Sequence, residues 1–136
     1  MTRRFTLAYI ATLIVFLALD AVWLTTMAQR LYRPGIGHLM REGFAPAPAI
    51  AFYALYVAGL VVFAVMAGLD RGRATTAAWR GALFGLVAYA TYDLTNQATL
   101  RDWPWSVTFA DLAWGASASA LASAAGCRAT MAFARG

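Results

Sequence analysis

Lysine is absent from this 136-residue chain, which also has a single cysteine, a single histidine and only six acidic side chains. A lone cysteine, Cys127, has no internal disulfide partner; set in an apolar stretch, it reads as a small buried residue. No zinc signature, phosphate-binding loop or recognised nucleophile motif is present, so the common soluble enzyme classes have no foothold. Charged residues make up 12% of the chain and hydrophobic ones 62%. Soluble domains carry about 25% charged residues, so this chain reads as one small domain in lipid.

What is present is a set of long apolar runs. Four stretches, near 5–27, 47–69, 78–100 and 106–130, reach or approach the roughly 20 residues that cross a hydrocarbon core of about 30 Å. The expected fold is all-α, a polytopic four-helix bundle in a single transmembrane domain over 1–136. The links hold the turn formers: Pro34, Gly35, Gly37, Pro46 and Pro48 in the first, Asp70 to Arg73 in the second, Trp103-Pro104-Trp105 in the third. The first run follows Arg3 and Arg4 as a secretory signal would, but it is long, holds Asp20 and lacks a small-x-small cleavage site, so it is expected to be a retained helix. The link over 28–45 mixes apolar residues with arginines and glycines, as an interfacial or re-entrant loop would, and is expected to cap one end.

All eleven basic residues are arginine, giving a net charge of +5. They cluster near helix ends, where they anchor to headgroups, so no nucleic-acid partner is expected and membrane lipids are. With the N-terminus in the cytoplasm, Arg3, Arg4, Arg71, Arg73, Arg80, Arg128 and Arg135 fall inside, against Arg30, Arg33, Arg41 and Arg101 outside. That bias favours a bacterial inner-membrane protein with both termini cytoplasmic.

Asp20, Asp93 and Asp111 each interrupt an apolar run, where charge is costly. Counting from the helix ends places all three roughly 8 to 10 Å below the same surface. They are expected to face one polar chamber, because a hydrated interior open to one side accounts for three such acids better than scaffolding does. Tyr89, Asp93 and Asn96 fall on one stripe of the third helix, with Tyr92 beside it. Asp20-Ala21-Val22-Trp23 in the first helix is echoed by Asp111-Leu112-Ala113-Trp114 in the fourth, each tryptophan one turn from its carboxylate and able to donate to it or pack over it. Tyr53 and Tyr56 are expected to turn hydroxyls toward the same layer. His38 would hang above the carboxylates as a proton shuttle or ligand; the plainer reading is a headgroup contact. Trp103 and Trp105 read as an interfacial aromatic belt. Gly81 and Gly85, and Gly115, Ser119 and Ser123, form small-residue rows that let the third and fourth helices approach closely.

The phrases Asp20-Ala21-Val22-Trp23-Leu24, Phe52-Tyr53-Ala54-Leu55-Tyr56, Gly81-Ala82-Leu83-Phe84-Gly85, Tyr89-Ala90-Thr91-Tyr92-Asp93-Leu94-Thr95-Asn96-Gln97-Ala98-Thr99-Leu100 and Asp111-Leu112-Ala113-Trp114-Gly115 resemble those of a small bacterial family of predicted membrane proteins with a domain of unknown function. The resemblance covers nearly the whole chain and implies four inner-membrane helices. It implies no established activity and no catalytic residues. Such proteins are associated with genes for lipid-modifying enzymes, and the resemblance thereby tilts the expected role slightly toward lipid, which the residues themselves do not show.

Three functional readings follow. The first is binding of, or action on, a lipid-like or small amphiphilic ligand. Asp93 would accept a proton or hydrogen bond, Asn96 would stabilise, and Asp20, Trp23, Tyr53, Tyr89, Tyr92, Asp111, Trp114 and His38 would line the site. The second is proton or cation handling, for which oxygen ligands suit Mg²⁺ or Ca²⁺; the opposite halves of the helices offer no matching acidic path. The third is an accessory subunit, docking through small-residue faces as a homo-oligomer or in a larger membrane complex. No metal ligand set or cofactor is assigned.

Overall fold

The computed structural model describes residues 2–135, apart from the side chain of Arg135, and these are helical with short links and no strand. Helix α1 spans Thr2–Leu39 and α2 spans Pro46–Asp70. Helix α3 spans Ala74–Thr99 and α4 spans Trp105–Arg135. By length and composition α1 and α2 are apolar enough to cross a membrane. Helices α3 and α4, with 26 and 31 residues, are long enough too. Their small residues Gly81, Gly85, Gly115, Ser119 and Ser123 lie where the two helices meet.

The helices run up, down, up, down. Arg4 near the start of α1 pairs with Asp70 at the end of α2, 3.0 Å apart. Beyond Asp70 the chain reverses through Arg71-Gly72-Arg73. Gly72 takes φ +63°, a conformation glycine adopts without strain. Its N–H bonds the Leu69 carbonyl at 3.2 Å and the Arg73 N–H bonds that of Gly68 at 2.9 Å, which caps the last carbonyls of α2.

The most extensive packing is between α3 and α4, followed by α1 against α4. Gly85 of α3 rests on the carbonyl of Gly115 and on Ser119, Gly81 rests on Ser119 and Ser123, and the ring of Tyr89 covers Gly115. Lipid gives two helices no hydrophobic reason to associate, so this close backbone approach is what dispersion rewards. On the α1 side Gly126 accommodates Thr12. Phe16, Val57, Leu60, Val61 and Val65 fill the centre. Cys127 is buried against Gly68 and Ala77, as its apolar setting implied.

Helix α2 packs on α3 mainly over its second half. Val61–Asp70 lies against α3, while Pro46–Leu60 leans chiefly on α1 and reaches α3 through Tyr56 and Gly59. The two halves meet at a wide turn over Val61–Val65. A cleft therefore opens between the first half of α2 and α3.

The loop expected over 28–45 is mostly helix. Ala28 to Tyr32 makes a wide turn closed by the Arg33 N–H on the Ala28 carbonyl, one residue before Pro34, which has no N–H to give. Pro34 then sits at the start of a fresh turn, where proline is tolerated. Gly35 lets this extension lie directly on Pro104 and Val107 at the start of α4. Only residues 40–45 remain non-helical.

Candidate functional site: a carboxylate pair beneath an aromatic cleft

The two Asp-x-x-Trp segments meet across the α1/α4 interface, and their tryptophans are exchanged. Trp114 of α4 donates its indole N–H to Asp20 of α1 at 3.2 Å, and Tyr53 of α2 donates its hydroxyl to the other oxygen of Asp20. Trp23 of α1 donates to the Tyr32 hydroxyl at 2.9 Å, which donates in turn to Asp111 of α4 at 2.5 Å. The two indoles stack with centroids 4.6 Å apart and planes 7° from parallel. Each tryptophan thus serves the opposite motif's aspartate, not its own. Such charge-assisted bonds hold helix rotation and register where water is scarce.

Asp93 is placed differently. It is fully buried, and neither carboxylate oxygen has a hydrogen-bond partner. The Asp111 carboxyl and the Trp103 indole N–H approach it, but Trp103 donates to Thr108 at 3.2 Å and Tyr32 has already engaged Asp111. Native proteins pair nearly all buried polar atoms, so such a group marks strain or a site. The pair exists because Gly85 and Gly115 draw α3 and α4 together two turns below Asp93.

Asp111 also forms the floor of the cleft described above. Phe52 and Tyr56 of α2 line one wall and Ala88, Tyr89 and Tyr92 of α3 the other, around a volume of about 320 Å³. Phe52 and Tyr92 are exposed on the outer face of the bundle, so the opening is lateral. Tyr56 is fixed at the base by a 2.7 Å bond with Ser119 and by packing against Phe84 and Tyr89. The walls are aromatic and the floor is a hydrogen-bond acceptor.

Several expected participants lie elsewhere. Asp20 does not line the cleft; its two oxygens accept from Tyr53 and Trp114. His38 is exposed in the last turn of the α1 extension, with Nε2 3.5 Å from Asp102. Asn96 is half-buried, faces the Tyr92 hydroxyl one turn back and makes no bond to Asp93, so the expected base and stabiliser are not a pair. Trp103 is buried and not in an interfacial belt, with Tyr92 packed edge-on against it at 5.6 Å. Trp105 is exposed. Sequence reading missed Gln97 and Thr108. Gln97 donates to the Trp103 carbonyl at 2.7 Å and accepts from Thr108 at 2.8 Å, pinning Trp103 beside Asp93. The available signal was position: Gln97 is one turn from Asp93 and Thr108 one turn from Asp111.

Tyr32→Phe should show what the network contributes. It removes the donor to Asp111 and the acceptor for Trp23 together, and should lower stability by about 1–3 kcal/mol in a detergent unfolding titration. Tyr9→Phe loses one neutral bond to the Ala54 carbonyl and should change stability by less than about 1 kcal/mol. Equal effects from the two variants would mean that the crossed network carries no special weight.

Comparison with known proteins gives a family match. A family model described as "Predicted membrane protein (DUF2177)" matches residues 5–128. No curated protein and no solved structure matches the chain.

Proposed function

The chain belongs to the DUF2177 family of predicted membrane proteins, and from that premise we propose that it is a multi-pass protein of the bacterial inner membrane whose lateral cleft binds a lipid-like or small amphiphilic ligand. Both termini are on the cytoplasmic side in this reading, which the arginine bias supports. The cleft then opens from the outer leaflet. An apolar segment enters between Phe52 and Tyr92 from the bilayer, and the head reaches Asp111, beside which Asp93 lies.

The observation that carries this reading is Asp93, buried without a hydrogen-bond partner beside the carboxylate that floors an aromatic cleft. Two adjacent carboxyls present acceptors and no cation, so the head they favour is a hydrogen-bond donor, a hydroxyl or an ammonium group. Chain and head together describe an amphiphile. The same pair also favours a second reading, proton handling, because a single proton between the carboxyls satisfies both. Cation handling by protein ligands alone has less support: among the described residues no three histidine, cysteine or acidic side chains cluster to hold a metal ion.

Ala88→Trp tests the proposal. The indole would occupy the cleft while leaving both carboxyls in the chain. Protein purified in mild detergent should carry an amphiphile detectable by mass spectrometry of its extract, and Ala88→Trp should lose it while keeping wild-type helicity. Equal retention by wild type and Ala88→Trp would place the ligand elsewhere and leave the proton reading.

A further inference from the structure

A second groove lies on the same α2/α3 face, toward the end where α1 begins. It has a volume of about 340 Å³ and is lined by Phe63, Trp79, Arg80, Leu83, Phe84 and Val87. Phe63, Trp79, Leu83 and Val87 each expose more than half their surface, so this face is turned outward, to lipid in a membrane. Phe84 divides the groove from the first cleft: its ring packs on Phe63 at 5.8 Å on one side and on Tyr56 at 5.5 Å on the other. Gly59 provides the space for it.

Arg80 is the anomaly. It lies six residues past the start of α3, roughly 9 Å along the helix, and no carboxylate among the described residues pairs with it. A lone arginine near the end of a membrane helix ordinarily snorkels to water. Here the guanidinium is held at the groove instead. Nη1 donates to the Phe63 carbonyl at 3.2 Å, and the group lies 5.4 Å from the centre of the Trp79 ring. Phe63 belongs to the wide turn of α2, a kind of irregularity that often marks functional positions. One N–H is engaged, and the rest of the planar fork is free for a bidentate acceptor.

We propose that this groove holds one anionic phospholipid, with its phosphate on Arg80 and an acyl chain along Phe63, Leu83 and Val87. Charge complementarity selects the occupant. The groove holds a cation and no anion, and Arg3, Arg4, Arg71, Arg73 and Arg128 lie at the same end of the bundle against a single acid, Asp70, which Arg4 already engages. Guanidinium pairs with phosphate as a fork, and basic sites between membrane helices take anionic headgroups. The site is separate from the carboxylate cleft, and either is able to fail without the other.

The test uses the full chain in neutral detergent with equimolar phosphatidylglycerol and phosphatidylcholine, counting retained lipid by native mass spectrometry. Wild type should retain one phosphatidylglycerol, preferred over phosphatidylcholine by roughly fivefold, which is the worth of one arginine near a membrane surface. Arg80→Gln should bring the two lipids to parity. Arg71→Gln, which removes a charge at the same end but outside the groove, should keep the preference. Val87→Trp fills the groove with Arg80 in place and should also lose the lipid. No preference in wild type, an unchanged preference in Arg80→Gln or Val87→Trp, or an equal fall in Arg71→Gln overturns the proposal. So does a wild-type dimer that Arg80→Gln dissociates, since the groove would then be a contact between copies.

Discussion

Gly85→Val is expected to abolish the folded bundle, leaving aggregated or protease-sensitive protein where the wild type elutes as a single species. A Cβ at position 85 would fall on the carbonyl oxygen of Gly115 and on Ser119. Neither neighbour yields cheaply, because the first is backbone. Overpacking a well-filled interior costs about 1–3 kcal/mol where side chains are able to shift; here α3 and α4 must separate, so the cost should meet or exceed that range. Separation would also remove the dispersion contacts at Gly81, Ser119 and Ser123, which hold this pair together in the absence of a hydrophobic drive. Gly37→Ala is the matched control. Its Cβ meets only Arg33, at 3.9 Å, and alanine is the better helix former, so stability should stay level or rise by up to about 1 kcal/mol. A Gly85→Val protein with wild-type elution and midpoint would show that the helices do not approach as closely as the structure has them.

The small-residue rows were legible because packing of this kind is written at four-residue spacing: Gly81 with Gly85, and Gly115 with Ser119 and Ser123. The depth of Asp93 and Asp111 was legible from helix rise alone. The division among the three aspartates was not. Asp20, Asp93 and Asp111 share a layer, but which donors reach which acid depends on helix rotation about the axis, and sequence spacing leaves that free. The exchange of Trp23 and Trp114 between motifs is of the same kind, since each tryptophan stands one turn from its own aspartate and nearer in space to a partner of the other. Proline and glycine misled at the α1 extension. Pro34, Gly35 and Gly37 read as loop formers, yet the wide turn before Pro34 removes the need for its missing N–H, and Gly35 is there for contact with Pro104. Trp103 read as an interfacial anchor because its partners, Gln97 and Thr108, belong to two different helices.

The variant Asp93→Asn separates a site from a scaffold by the sign of its effect. A buried polar atom without a partner costs about 1–3 kcal/mol; Asp93 has two such oxygens. Asparagine keeps the shape and places a permanent N–H beside the Asp111 carboxyl. The ligand-free variant should therefore be more stable than wild type, by about 1–3 kcal/mol in a detergent unfolding titration. Asp20→Asn should do the reverse. There both oxygens accept, from Trp114 and from Tyr53; an amide nitrogen in place of one oxygen gives up an acceptor and obliges the Tyr53 hydroxyl to turn and accept, lowering stability by about 1–3 kcal/mol. Opposite signs at the same depth are hard to obtain if all three aspartates serve only to fix register. A native group that destabilises its own fold is the pattern expected where the chain gives up stability for function. Asp93→Asn should accordingly lose the co-purifying amphiphile as Ala88→Trp does, while remaining folded and more stable. If instead Asp93→Asn unfolds as readily as Asp20→Asn and still carries its amphiphile, Asp93 belongs to the scaffold, and the cleft binds through its aromatic walls alone.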